Sequence, residues 1–335
     1  MKCLKLWCKL REAQLALCIV LLVLMVGLRA PVFLSAASFG NLLSDSTLLI
    51  MLALTQMCVI VTRGIDLSVA STLALAGMLS ALLALHHPEL PVTLVLLAAL
   101  GVGLLLGLLN GCLIGYLQLP PIVVTLGTMS VYRGLVFVLS GGAWVSSRQM
   151  PAAFMALPLS RFLGLTYLVW FCAGAVAVVG LIVRYSRFGR DLYAIGNDPV
   201  AARYVGIASA RRLCWTYGLS GAMAGLCGYL WVARYAVAYT EIAYGFEFTV
   251  IAACVIGGVS IAGGAGSVTG TLLGALFLSV INNALPVLQV SPFWQSALTG
   301  LVILTAVLIN ARGKVPGRQI LPRHLINPTD ARSAA

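Results

Sequence analysis

Nine carboxylates, three histidines, four lysines and nine cysteines are nearly all that this 335-residue chain offers for acid–base, nucleophilic or metal chemistry. His86, His87 and His324 fall in a loop and in the tail, without the spacing or companions of a metal or nucleophile site. The lysines are followed by Cys3, Leu6, Leu10 and Val315, so no phosphate-binding loop ending in Gly-Lys-Ser/Thr is present. The run from Gly263 to Gly270 misses Gly-x-Gly-x-x-Gly by one residue and follows no strand, which removes a dinucleotide site. The cysteines form no Cys-x-x-Cys pair and mostly sit in apolar runs, as buried thiols that pack like small hydrophobes. The pattern predicts no enzyme, no metal centre and no cofactor. Glu12, Asp45, Asp66, Glu89, Asp191, Asp198, Glu241, Glu247 and Asp330 lie in loops or at span ends, whereas an ion-driven carrier keeps ionisable groups deep in its spans. Asp66 and Glu247 lie deeper only if their helices are broken.

The elements that position these groups are membrane helices. Apolar residues make up 61% of the chain and charged residues 9%, and the mean hydropathy is +1.04, far from the composition of a water-soluble domain. Runs of the length an α-helix needs to cross about 30 Å of hydrocarbon recur throughout, without the two-residue alternation of a barrel. They predict an all-α polytopic protein with ten spans: 13–32, 43–62, 67–86, 91–117, 121–140, 165–184, 212–233, 246–260, 268–286 and 293–311. The Lys-rich, then apolar start is read as an uncleaved first helix, not a secretory signal, because nine spans follow it. The eighth run is short, and is expected to be broken or re-entrant near 246–260. Residues 1–12 form an N-terminal segment, 13–311 one transmembrane domain with a polar loop at 185–211, and 312–335 a basic tail.

With an even number of spans both termini share a face. That face then collects sixteen of the 21 basic residues, including Arg63 and six arginines between 184 and 212. The positive-inside rule makes it cytoplasmic. The net charge of +12 is therefore topological and calls for no nucleic acid. Arg133 is the one charge well inside a span. At about 2.5 to 3.5 kcal/mol on insertion scales it must face protein, water or headgroups, as a structural group or a solute contact.

Gly103, Gly107, Gly111 and Gly115 in the fourth span, and Gly266, Gly270 and Gly274 in the ninth, are each four apart. They line one helix face and let a neighbouring helix approach closely. Spans four and nine hold the same place in two sets of five, and an odd set reverses direction, so the halves are expected to be inverted repeats.

The longest polar island, Arg184 to Ile207, contains its own short helix. Asp198 caps it, Pro199 suits its first turn and Gly206 ends it in a left-handed turn. Either a partner docks on it or it is a solvated loop. The polar residues inside spans that could contact a solute are Gln56, Asn110, Thr125, Thr128, Asn282 and Asn283, each more often an interhelical hydrogen bond than a ligand contact. Asp66 is placed to cap the third span, and Pro120-Pro121 to set the entry of the fifth.

Five ordered segments resemble the ribose-type permease family: Gly64-Ile65-Asp66-Leu67-Ser68-Val69; Leu119 to Thr128; Phe188-Gly189-Arg190 with Ala194 to Asn197; Ala201-Ala202-Arg203 with Gly206-Ile207; and Gly257 to Ser267. Tyr132-Arg133-Gly134, Gly141 to Trp144 and Trp231 to Tyr235 look most like its rhamnose and autoinducer-2 branch. The resemblance implies a permease subunit of an ATP-binding-cassette importer in the bacterial inner membrane. It would import a simple sugar or a sugar-like signal, with both termini cytoplasmic. It also implies cytoplasmic ATPase subunits, a second permease that is a copy or a paralogue, and an outer solute-binding protein. Asp198, Pro199, Ala201, Ala202, Arg203 and Gly206 would then form the segment that docks on the ATPase. Val200 stands where the family usually has Glu. The alternative is a stand-alone carrier or channel for a small polar solute, in which the island is only a loop.

Overall fold

The computed structural model describes residues 2–289 together with Trp294, Ala297, Gly300, Leu301 and Leu304. The twelve helices of this region are α1 (Lys2–Arg29), α2 (Ala36–Val61), α3 (Val69–His86), α4 (Val92–Gly115), α5 (Pro121–Ser140), α6 (Ala152–Leu159), α7 (Tyr167–Tyr185), α8 (Arg187–Asn197), α9 (Pro199–Tyr204), α10 (Ser209–Tyr235), α11 (Phe246–Ile256) and α12 (Val268–Val287). The only strands among the described residues are four two-residue pieces. β1 (Val145–Ser146) pairs antiparallel with β4 (Val237–Ala238), and β2 (Arg161–Phe162) with β3 (Leu165–Thr166). The tenth predicted span, apart from five helical positions, and the tail 312–335 lie outside the described residues.

The first nine predicted spans each fall on a helix. Seven of the described helices are long and apolar enough to cross a membrane. α10 is also long, at 27 residues, but carries more polar side chains. The eighth span is cut short: α11 has 11 residues, about 16 Å at the rise of an α-helix. Gly257-Gly258 ends it, Gly258 turning at φ 93°, and the chain runs back through 257–267 to start α12 beside it. Pro121 opens α5 as predicted. Asp66 does not cap α3 directly: Ser68 is the residue before the helix, and the Asp66 carboxylate accepts from its N–H at 2.9 Å.

α2 is apolar on every side and buried on nearly every side, as an all-round hydrophobic helix must be. It packs antiparallel to α10 at the centre of the bundle. α3 and α4 lie on α10, while α11 and α12 lie on α2. α3 also packs on α4, as α11 does on α12. Exchanging the two halves maps these pairs onto one another, as inverted five-helix repeats would, whereas the α2–α7 and α1–α12 pairs have no such counterpart. α1, α4, α5 and α7 turn apolar faces outward.

Candidate functional site

The polar island holds two helices, where sequence reading placed one. Ser186 starts α8 by accepting from the Gly189 N–H at 3.0 Å. Phe188, Leu192 and Ile195 recur along one side of it, and Leu192 and Ile195 are buried. Asp191, on α8, pairs with Arg212 of α10 at 2.7 Å, and the Tyr193 hydroxyl donates to the Gly266 carbonyl at 2.9 Å. α8 is thus bound flat against the ends of the spans.

α9 follows directly. Asp198 Oδ1 accepts from the N–H groups of Val200 at 2.9 Å and Ala201 at 3.0 Å, and Pro199 occupies the first turn. Gly206 then turns left-handed at φ 82°, letting the Ile207 N–H reach the Ala202 carbonyl at 3.0 Å. Ala202 faces the protein and is 3% exposed, whereas Val200, Tyr204 and Val205 are 61%, 88% and 75% exposed. Ala201 and Arg203 are exposed beside them. A short capped helix therefore carries an apolar tip that none of the described residues covers.

The interior polar groups mostly satisfy one another. Asp66 Oδ1 accepts from the N–H and hydroxyl of Ser68, and Oδ2 accepts from Ser220 of α10 at 3.1 Å. Asn110 of α4 donates to the Ser68 hydroxyl at 2.8 Å, and the Tyr132 hydroxyl of α5 donates to the Asn110 carbonyl oxygen at 3.4 Å and to the Leu106 carbonyl at 3.0 Å. Thr125 donates to the carbonyls of Ile65 and Pro121, and Thr128 to that of Val124. Asn110 and Thr125 are buried; Thr128, Asn282 and Asn283 are half-buried, and Asn283 donates to the Ser279 carbonyl. Gln56 is buried in the middle of α2 with neither amide atom bonded, and the Tyr217 hydroxyl is likewise unpartnered. Of the six solute candidates, Gln56, Asn110 and Thr125 are buried, the last two bonded to the segment between α2 and α3, and Thr128, Asn282 and Asn283 line helix flanks.

At the opposite end, Arg133 donates to the carbonyls of Ile242 at 2.6 Å and Thr240 at 3.3 Å and lies over the Tyr244 ring. It ties α5 to the loop before α11, a structural use of that charge. Arg234, near the end of α10, pairs with Asp45 and the Ser44 carbonyl of α2.

The glycine ladders sit at close crossings. A Cβ on Gly103, Gly107, Gly111 or Gly115 would strike the backbone of α10 at Gly221, Tyr217, Cys214 and Ala210 respectively. Gly270 and Gly274 meet Gly257 and Ala253 of the α11 end in the same way. Gly266 is not a rung of that helix. It precedes the capping Ser267 and packs against the side chains of Val61 and Val259. A second glycine series on α10, Gly218, Gly221, Gly225 and Gly228, is legible in its spacing of three and four; Gly221 and Gly225 face the first ladder, Gly218 meets the Leu104 and Leu108 side chains of α4, and Gly228 meets Leu73 and Gly77 of α3.

A family model described as "Branched-chain amino acid transport system / permease component" matches residues 38–307. Among curated proteins, the "Autoinducer 2 import system permease protein LsrC" of Salmonella typhi is 33% identical over 302 residues, 90% of this chain and 86% of that protein. The proteins of the same name from Shigella flexneri and Escherichia coli (strain K12 / DH10B) are each 34% identical over 90% of this chain and 87% of their own length. No solved structure matches the chain.

Proposed function

We propose that this chain, which belongs to the family of branched-chain amino acid transport system permease components, is the membrane-spanning subunit of an ATP-binding-cassette importer. Its solute would be a simple sugar or a sugar-like compound, with rhamnose, ribose-type sugars and autoinducer-2 as the candidates. The observation that carries this reading is α9, whose exposed apolar tip gives a separate protein something to grip, on a chain whose relatives are named as import permeases. Val200 supplies an apolar contact there in place of a carboxylate.

In this scheme the α8–α9 end faces the cytoplasm, as its arginines favour, and an ATPase subunit docks on it. An outer binding protein delivers the solute to a path between this chain and a second permease. Hydrolysis takes place on the ATPase, and this chain contributes no reacting group. A neutral solute is moved by several weak hydrogen bonds, since it must also be released. Among the described residues two buried carboxylates suit an ion-driven carrier, Glu247 in the first turn of α11 and Asp66. The two oxygens of Asp66 already receive three donors from Ser68 and Ser220, which makes it a structural anchor.

The test is purification of the tagged chain from native membranes in mild detergent, with co-purifying proteins identified by mass spectrometry. A stoichiometric ATPase supports the importer, and the presence or absence of a paralogous permease decides between homodimer and heterodimer. A chain recovered alone in several detergents, with uptake that follows an ion gradient, refutes it.

A further inference from the structure

Resting on the coupling role of α8–α9, we infer that Arg63 is the positioning residue that hands movement of α9 to the transmembrane core through the α2–α3 turn. Arg63 Nε donates to the Gly196 carbonyl and Nη2 to the Asn197 carbonyl, both at 2.8 Å. These are the last two residues of α8, and Asn197 is followed at once by Asp198, the cap of α9. A displacement of α9 therefore pulls first on the two carbonyls that the guanidinium holds.

The grip is built closely. A Cβ on Gly196 would strike the Val61 carbonyl, and one on Gly263 would strike the Arg63 side chain. The Gly264 N–H bonds to the Val61 carbonyl at 2.9 Å, so the end of α2, the end of α8 and the turn between α11 and α12 meet at one point. Arg63 itself stands at φ 68°, in the left-handed region that favours glycine. That conformation closes the end of α2, where the N–H groups of Arg63 and Gly64 return to the carbonyls of Ile60 and Val59, and it aims the side chain across to α8.

The five residues beyond Arg63 reach the rest of the core. The Ile65 carbonyl is held by Thr125 of α5 at 3.1 Å, Asp66 by Ser220 of α10, and Ser68 by Asn110 of α4. Segment 61–68 thus touches α8, α5, α10, α4 and the α11–α12 turn through named hydrogen bonds. Two other bonds leave α8: the Asp191–Arg212 pair joins α10, whose chain already continues from α9, and the Tyr193 hydroxyl reaches the Gly266 carbonyl in the α11–α12 turn, so neither reaches the turn between α2 and α3. Arg63 is the link from the coupling segment to the turn between α2 and α3, and through that turn to α4 and α5.

The experiment uses the native complex purified with its ATPase into lipid nanodiscs, followed by hydrogen–deuterium exchange with and without Mg-ATP plus vanadate. In the wild type, trapping is expected to change exchange at 199–207 and at 61–68. Arg63→Gly suits the backbone and deletes only the grip, so it should keep the change at 199–207 and lose that at 61–68. Arg63→Lys should restore part of it, and Arg212→Gln should leave both intact. A merely structural Arg63 would pass the signal unaltered in all three variants. The inference is overturned if Arg63→Gly still responds at 61–68 or if Arg212→Gln abolishes that response. Absence of any nucleotide effect at 199–207 in the wild-type complex would instead refute the coupling role, and the inference with it.

Discussion

Adding one methyl group at Gly107 should separate α4 from α10, while the same change six residues earlier at Gly101 should do no harm. A Cβ at Gly107 would overlap the Tyr217 carbonyl and lie 2.9 Å from the Gly221 Cα; at Gly101 it meets nothing within 4 Å. The obstructing atoms are backbone, so no rotamer change relieves the overlap and the helices must part. Overpacking of this kind costs about 1 to 3 kcal/mol. A gap of about 0.5 to 1 Å also forfeits a quarter to a half of each neighbouring dispersion contact along the seam. Against this stands a gain of about 1 kcal/mol for replacing a helical glycine by alanine. Gly107→Ala should therefore lose about 2 kcal/mol and Gly101→Ala should gain up to about 1 kcal/mol. Their difference of about 3 kcal/mol corresponds to roughly a hundredfold in the folding equilibrium. Reversible unfolding of the purified chain in mixed detergent–dodecyl sulfate micelles, followed by circular dichroism, reads the difference directly. Equal stability of the two variants would show that the glycine seam is not where these helices are held.

Removing the Asp66 carboxylate leaves three buried donors without an acceptor. Each costs about 1 to 3 kcal/mol, so Asp66→Ala should destabilise by several kcal/mol in the same assay and Asp66→Asn, which keeps one acceptor oxygen, by much less; equal losses would discount the network. α9 has only six residues, too few to persist without help, so Asp198→Ala, at about 1 kcal/mol for the lost cap, should lower ATP-driven uptake severalfold while the protein stays in the membrane, and Asp198→Ser should retain most of it. Arg133→Ala should speed hydrogen exchange across 236–245 and leave exchange at 61–68 unchanged, because its bonds go to the Thr240 and Ile242 carbonyls alone.

What the sequence revealed and what it hid follow from the range of the forces involved. Spans are legible because lipid demands an apolar run of fixed length in one stretch of chain. α9 was legible because Asp198, Pro199 and Gly206 are local signals. α8 is less legible: Phe188, Leu192 and Ile195 show the spacing of an amphipathic face, but Arg187, Arg190 and Asp191 lower the hydropathy of the segment to that of a polar loop. Polar groups inside spans stand out in the sequence, yet what they do depends on residues far along the chain. Asn110 meets Ser68 across 42 positions, and Asp66 meets Ser220 across 154. No local pattern announces such pairings. The grip of Arg63 on Gly196 and Asn197 was hidden for the same reason, as it joins two turns 133 and 134 residues apart.

A solute path through the middle of one chain would have to break bonds that are already made, since Asn110, Thr125 and Asp66 are buried and engaged. A path between two permeases avoids that cost and needs an outward helix face that is neither bulky nor wholly apolar. α5 offers one: Gly127, Ser130 and Gly134 recur along its exposed side, and the two glycines have no other described part of the chain within 4 Å of an added Cβ. A face turned to lipid looks different, as on α4, where Leu105 is 68% exposed. A thiol reacts as its thiolate, which forms where water reaches it. In a cysteine-free background of the assembled complex, Ser130→Cys should therefore react with a membrane-impermeant maleimide at least about tenfold faster than Leu105→Cys, since the charged form is strongly disfavoured in hydrocarbon. Equal rates would place α5 against lipid like its neighbours, and the path would have to be sought along the flanks of Thr128, Asn282 and Asn283 instead.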